Sequence, residues 1–311
     1  MRERFLWAGI TVIIMSWFGN YLYFQSQQLD EPIFLDHYYQ MYHSEAVQEI
    51  PLTFYYLANK QNPMEVNYIE MNGIEAYPVS NNVGFTMFNN NQPQINYRQE
   101  FTHHYLMEVT VTIRNDMDKV VNENDEAWSF NTMDVYFSNG EHINANIGEV
   151  VIQSHHNQPL VLDTRSGGSS NQHRSAVSMV ANQPIRIQDI SVPFDRLTDD
   201  VSIKVGLNEA NSNKMISSPG VNQALDLPWE ELQAPTVEAI MFPFDLAKND
   251  FMGLYMQFDS NRTSYYQFDI QISGTRDDGQ PFVSGVPIND QPYLDENDLD
   301  AIIETKGGNM R

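Results

Sequence analysis

Hydrophobic positions change their period twice along the chain. Leu6 to Phe24 (LWAGITVIIMSWFGNYLYF) runs nineteen residues without a formal charge. At about 1.5 Å per residue such a helix covers about 28 Å, close to the hydrocarbon thickness of a bilayer. Pro32 to Val47 (PIFLDHYYQMYHSEAV) then sets Phe34, Tyr38, Met41, Tyr42 and Glu45 at helical spacing. That spacing predicts an amphipathic helix with an aromatic face, suited to lipid headgroups, a partner subunit or its own domain.

From Ile50 the period shortens to two. Leu52 to Leu57, Val66 to Met71, Phe85 to Phe88, Tyr105 to Ile113, Met133 to Phe137 and Ile147 to Ile152 are short runs rich in Val, Ile, Phe, Tyr and Thr. Turn signals separate them: Asn72-Gly73, Asn89 to Pro93, and Ser138-Asn139-Gly140. In Tyr105 to Ile113, Met107, Val109, Val111 and Ile113 form the core-facing set. Residues 163–175 (DTRSGGSSNQHRS) read as a flexible linker or long loop. The β-pattern resumes at Ile185 to Ile190, Val201 to Val205, Leu254 to Phe258, Tyr265 to Ile272 and Phe282 to Ile288, with a turn at Asp277-Asp278-Gly279. Pro219 to Pro235 reads as a loop holding at most a short helix, and Asp295 to Glu304 as a brief acidic helix.

The fold class expected is mostly β: an N-terminal transmembrane helix followed by one or two antiparallel β-sandwich domains. The segments divide as a stub at 1–5, a membrane helix at 6–24 and a connector with the amphipathic helix at 25–49. A sandwich at 50–165, a second β-rich domain at 176–292 and an acidic tail at 293–311 follow. Residues 105–143 resemble the middle of an immunoglobulin-like domain common in Gram-positive surface lipoproteins. In that family an alternating strand ends in Asn, a polar turn reaches Asp-Lys and a β-branched residue, and a later strand ends in a Gly turn. Val109 to Asn115, Asp118-Lys119-Val120 and Met133 to Gly140 carry the likeness, which covers about an eighth of the chain. It implies an immunoglobulin-like fold outside the cell and no particular activity. The chain departs from the family in lacking a lipobox Cys.

Flanking residues orient the apolar helix. Arg2 and Arg4 precede it, Trp7 lies near one end and Tyr21 and Tyr23 near the other, and Asp30, Glu31 and Asp36 follow. The aromatic rings favour the two interfaces, and the positive-inside bias puts the N-terminus in the cytoplasm and residues from about 25 onward outside. The exit, NYLYFQSQQ, has no small-x-small cleavage site, so the helix reads as a retained anchor. Asn20 near its outer end could bond a partner helix or simply meet water.

Composition narrows the function classes. Seventeen basic against 41 acidic residues give a net charge of −24, which disfavours nucleic acid. The absence of cysteine removes disulfides, thiolate metal sites and cysteine nucleophiles, and suits a Gram-positive envelope. The pairs His103-His104 and His155-His156 would point to opposite faces of a strand and chelate poorly. Asn115 to Glu126 is the densest oxygen cluster, with Asp116, Asp118, Asn122 and Asp125 as calcium candidates, although the spacing lacks a helix-loop-helix pattern. Neither a G-x-S-x-G elbow nor a phosphate loop in its strand–helix context is present. The leading expectation is a membrane-anchored binding or accessory module of an envelope or membrane protein complex. It needs no cofactor, and Phe34, Tyr38, Met41 and Tyr42 are its candidate partner contacts. An envelope hydrolase acting on glycan or peptide, and a calcium-dependent adhesion module, are the alternatives.

Overall fold

The computed structural model describes residues 2–43, 49–79, 95, 97–114, 127–154, 160–208 and 219–307. Helix α1 (Arg2–Ser26) leads into β1 (Ile33–Phe34), β2 (His37–His43), β3 (Glu49–Asn59), β4 (Val66–Met71), β5 (Ile74–Pro78) and β6 (Tyr97–Glu100). β7 (His104–Arg114), β8 (Ala127–Phe137), β9 (His142–Ser154), β10 (Leu162–Ser170), β11 (Arg174–Ala181), β12 (Ile185–Ser191) and β13 (Val201–Asn208) follow. After α2 (Val221–Asp226) come β14 (Phe244–Leu246), β15 (Phe251–Phe258), β16 (Tyr265–Arg276), β17 (Pro281–Asp290) and α3 (Glu296–Ile302). The protein is mostly β with largely antiparallel pairing, behind one helix long and apolar enough to cross a membrane.

Where one face of a strand is buried, the period-two pattern finds it. β4 spans Val66–Met71, as the alternation predicts. On β7, Met107, Val109, Val111 and Ile113 are all buried. The β4–β5 hairpin turns on Asn72 and Gly73, both at positive φ, as the Asn-Gly pair demands.

Thirteen strands form one sheet in the order β1-β3-β7-β5-β4-β8-β9-β2-β16-β12-β14, with β6 added to β7 and β17 to β16. β10-β11-β15-β13 form a second sheet of four. The first core gathers Phe54, Leu57, Val111, Val135 and Ile152 from the earlier strands. In the second core, Ile187, Phe268, Ile270 and Ile272 share a cluster with Val205, Leu254 and Met256 of the four-stranded sheet.

Strand β2 joins the two parts. It pairs in parallel with β9, from His37↔Gly148 to His43↔Ser154, and in parallel with β16 at Tyr265↔His37 through Gln267↔Tyr39. Successive side chains of a strand point to opposite faces. Accordingly Tyr39 and Tyr265 belong to the first core, and Tyr38 and Tyr266 to the second. Gly148 (φ 90°) sits where a Cβ would lie 2.6 Å from the His37 carbonyl oxygen, so a bare backbone is required beside β2.

This overturns the amphipathic helix expected over residues 32–47. The described part, to residue 43, is β1 and β2. A central parallel strand buried on both faces shows a continuous aromatic run, so HYYQMYH carries no visible alternation. The linker reading of residues 163–175 is also corrected. Most of that stretch is the β10–β11 hairpin, paired from Leu162↔Ala181 to Ser170↔Arg174. Its small residues seat a helix: Gly168 lies under Leu225 and Val221 of α2. Val221 and Ala224 share a small cluster with Ala176, Leu232 and Tyr255.

The acidic C-terminal segment does form a short helix. Asp295 accepts from the backbone N–H groups of Asn297 and Asp298, and Asp298 accepts from that of Asp295, closing a capping box. Leu294, Leu299 and Ile302 enter the first core. Beyond the helix, Lys306 Nζ donates to Asp36 Oδ1 (2.6 Å) and to the carbonyls of Phe34 (2.8 Å) and Asn146 (3.2 Å).

Candidate functional site

Helix α1 is uncovered. Trp7, Val12, Ile13, Trp17, Phe18 and Leu22 are all more than half exposed, and Trp17 reaches 79%. A contiguous apolar surface of that kind marks an interaction site, and the helix is long and apolar enough to cross a membrane. Trp7, Tyr21 and Tyr23 lie exposed toward its two ends, and Arg2 opens the helix.

The helix enters the first part of the fold through a short, hydrogen-bonded connector. Asn59, at the end of β3, brackets Leu29: its Oδ1 accepts from the Leu29 N–H (2.9 Å) and its Nδ2 donates to the Leu29 carbonyl (2.8 Å). His104 Nε2 lies 2.9 Å from the Gln27 carbonyl oxygen. Burial holds the His104 imidazole below its ordinary pKa, so the neutral ring donates this bond. His103 makes edge contacts with Tyr23 and Phe24, each at 6.1 Å. His103, in the bend before β7, and His104, which opens it, thus both serve the connector.

A cleft of about 450 Å³ opens where the two parts of the large sheet diverge. β16 pairs with β2 only as far as Gln267 and takes up β12 from Gln271, leaving a fork on this edge between them. The side chain of Gln40 replaces the missing strand: its Oε1 accepts from the Asp269 N–H at 3.1 Å. Tyr42 donates its hydroxyl to Asp269 Oδ2 at 2.9 Å. Burial first, and the Asp269 carboxylate second, push the Tyr42 phenol well above its usual pKa, so it remains a donor. Across the hairpin, Gly285 makes room for that carboxylate, since a Cβ there would lie 2.4 Å from Asp269 Oδ2. Met41, Gln267, Pro287, Ile288 and Asn289 complete the lining. The cleft offers amides, a phenol and one carboxylate beside apolar side chains, a set that binds by hydrogen bonds and charge to a donor-rich ligand.

Between connector and cleft stands His37, which is fully buried. Its Nε2 accepts from the Tyr55 N–H at 3.0 Å. The ring lies nearly parallel to Tyr55 and Tyr265, themselves stacked at 4.0 Å, and meets Phe54 and Tyr39 edge-on. Burial, helped by the Lys306 charge, lowers its pKa to about 3, while the carbonyls of Ile147 and Leu35 oppose the shift. Nδ1 makes no hydrogen bond of ordinary geometry. His37 is therefore a neutral piece of the seam.

Of the partner contacts expected from sequence, Phe34 and Tyr38 are core residues. Met41 and Tyr42 line the cleft, although on a strand. The calcium candidates Asp116, Asp118, Asn122 and Asp125 lie outside the described residues, as do His155 and His156. Among the described residues no group of three or more His, Asp or Glu side chains is arranged to hold a metal ion. Away from the cleft, Asp290 takes both His173 Nδ1 (2.9 Å) and the Arg262 guanidinium, which lies over the Tyr266 ring at 4.4 Å. Sequence reasoning missed Gln40, Asp269 and Asn59. Gly285, inside a strand pattern, was the one available signal of a close approach.

No family model matches this chain, and no curated protein does. Among solved structures it is similar to the collagen binding domain of the Erysipelothrix rhusiopathiae surface protein RspB. The identity is 8%, over 87% of this chain and 98% of that chain, with a TM-score of 0.21. At that score the likeness transfers neither fold nor ligand.

Proposed function

We propose that the protein is a single-pass, membrane-anchored extracytoplasmic binding module, serving as an accessory subunit of a cell-envelope or membrane protein complex. One observation carries the reading. α1 exposes its apolar side chains along its length, and its last turn runs into a connector clamped by Asn59 and His104. An anchor, and not a folded-in core helix, needs that combination. The orientation rests on Arg2 and Arg4 before the span and on carboxylates after it.

The partner is a protein, and the fork cleft is where it binds. Asp269, Tyr42 and Asn289 would receive a segment carrying amide or basic donors, which the acidic surface also favours. A photo-crosslinking residue placed at Asn289, in the full-length protein in its native membrane, tests this. An adduct with one envelope or membrane protein, lost with Asp269→Ala, is the expected result. Ultraviolet-dependent adducts that survive Asp269→Ala, or none at all, would remove the cleft from the proposal.

A further inference from the structure

The connector between α1 and the first core has no slack. Gln27 and Gln28 still bond back to Phe24 and Gln25, Leu29 is clamped and buried, and β1 begins at Ile33. Flexible tethers are built the other way, from unbonded polar residues. A helix joined like this transmits its own position to the sandwich.

The clamp also sets depth. Tyr23 and Phe24 close the apolar stretch, where aromatic rings settle at the membrane interface. His103 touches both rings, at 6.1 Å between centroids. The polar layer on each side of a bilayer is about 5–8 Å deep, so a ring in contact with Tyr23 and Phe24 lies inside it. Of the carboxylates at this base, Asp30 and Glu31 lie in the connector itself, and two others are engaged by neighbouring groups. Glu100 pairs with Lys60, and Glu296 accepts from both the N–H and the hydroxyl of Thr102.

We infer that the turn from Phe101 to His104 rests in the lipid headgroup layer, as a second contact that fixes the height and tilt of the ectodomain over the membrane. The inference builds on the anchored reading above and adds a docking surface to it. Its partner is the phospholipid headgroup, met by the half-buried imidazole of His103 and the exposed side chain of Thr102. β16 runs from Tyr265, beside the seam, to Arg276, and its eleven steps of about 3.3 Å carry the Asp277–Gly279 turn about 36 Å along the strand. That tip serves as the reference far from the lipid.

The absence of cysteine makes the test clean. Full-length His103→Cys, Thr102→Cys and Asp278→Cys would each carry a bimane probe in nanodiscs of phosphatidylcholine and phosphatidylglycerol doped with headgroup spin-labelled lipid. Quenching several-fold stronger at positions 102 and 103 than at 278 is expected. A flexible Gly-Ser insertion after Gln28 should bring all three to the same level. Equal quenching without the insertion, in a chain that stays in the disc, overturns the headgroup contact and leaves the anchor standing. Failure of the chain to enter the disc overturns both.

Discussion

Tyr38 and Tyr39 are neighbours on β2, yet each is buried in a different hydrophobic core. Tyr38 packs edge-on to Phe194 and Tyr266. Tyr39 contacts His37 and Phe54 and donates its hydroxyl to the Thr53 carbonyl. One strand is thus a shared wall, and damage on either side of it should be felt by both. Tyr38→Ala and Tyr39→Ala should each cost about 3–5 kcal/mol. Denaturant unfolding followed by near-ultraviolet circular dichroism should show one transition moved as a whole. Two transitions that shift independently would contradict a shared wall.

Gly148 tests the same seam from the backbone. Alanine there combines a left-handed φ with a Cβ driven into the His37 carbonyl, and neither strand can move without breaking its ladder. Gly148→Ala should cost about 3 kcal/mol or more. Thermal unfolding within a degree of the parent would show that β9 and β2 are not in close contact.

Acid should attack the seam through His37. The folded pKa is near 3 against an ordinary 6.5, so the neutral ring's contribution is fully present above about pH 6.5 and fades as pH falls below it. His37→Phe removes this proton linkage, and it also leaves the Tyr55 N–H without its acceptor. The parent's advantage over His37→Phe should therefore shrink by about 2 kcal/mol between pH 7 and pH 5. Urea titrations at the two values measure it, and a gap that stays constant would mean that the ring is not held neutral.

At the cleft, Gly285→Ala should separate fold from recognition. The new Cβ would push the Asp269 carboxylate off Tyr42, and a side chain can swing aside at a fold cost of about 1 kcal/mol. Crosslinking from Asn289 should fall several-fold while the melting temperature barely moves. An unchanged adduct yield would place the partner elsewhere.

The half-buried strands were legible because one face faces water: β4, β7 and β16 show their period directly. What escaped was set by long-range contacts. β2 is wrapped on both faces, so its aromatic run mimics a helix. The Gly-Ser stretch of β10 looked flexible because nothing local shows that α2 lies on it. The cleft brings together Gln40 and Asp269, 229 positions apart, and no spacing rule links them. The apolar helix was plain from composition alone. The residues that mount it, Asn59 and His104, emerge only once β3 and β7 are paired.

The central claim is that α1 is a retained anchor with the β-rich part outside the cell. Full-length Asp278→Cys, the only thiol in the chain, can be exposed on intact cells to a membrane-impermeant maleimide, followed by carbonate extraction of the membranes. The account predicts labelling before lysis, at full-length mass, on a chain that stays with the membrane pellet. Labelling only after lysis, or a labelled chain released to the supernatant without its first 26 residues, would contradict it.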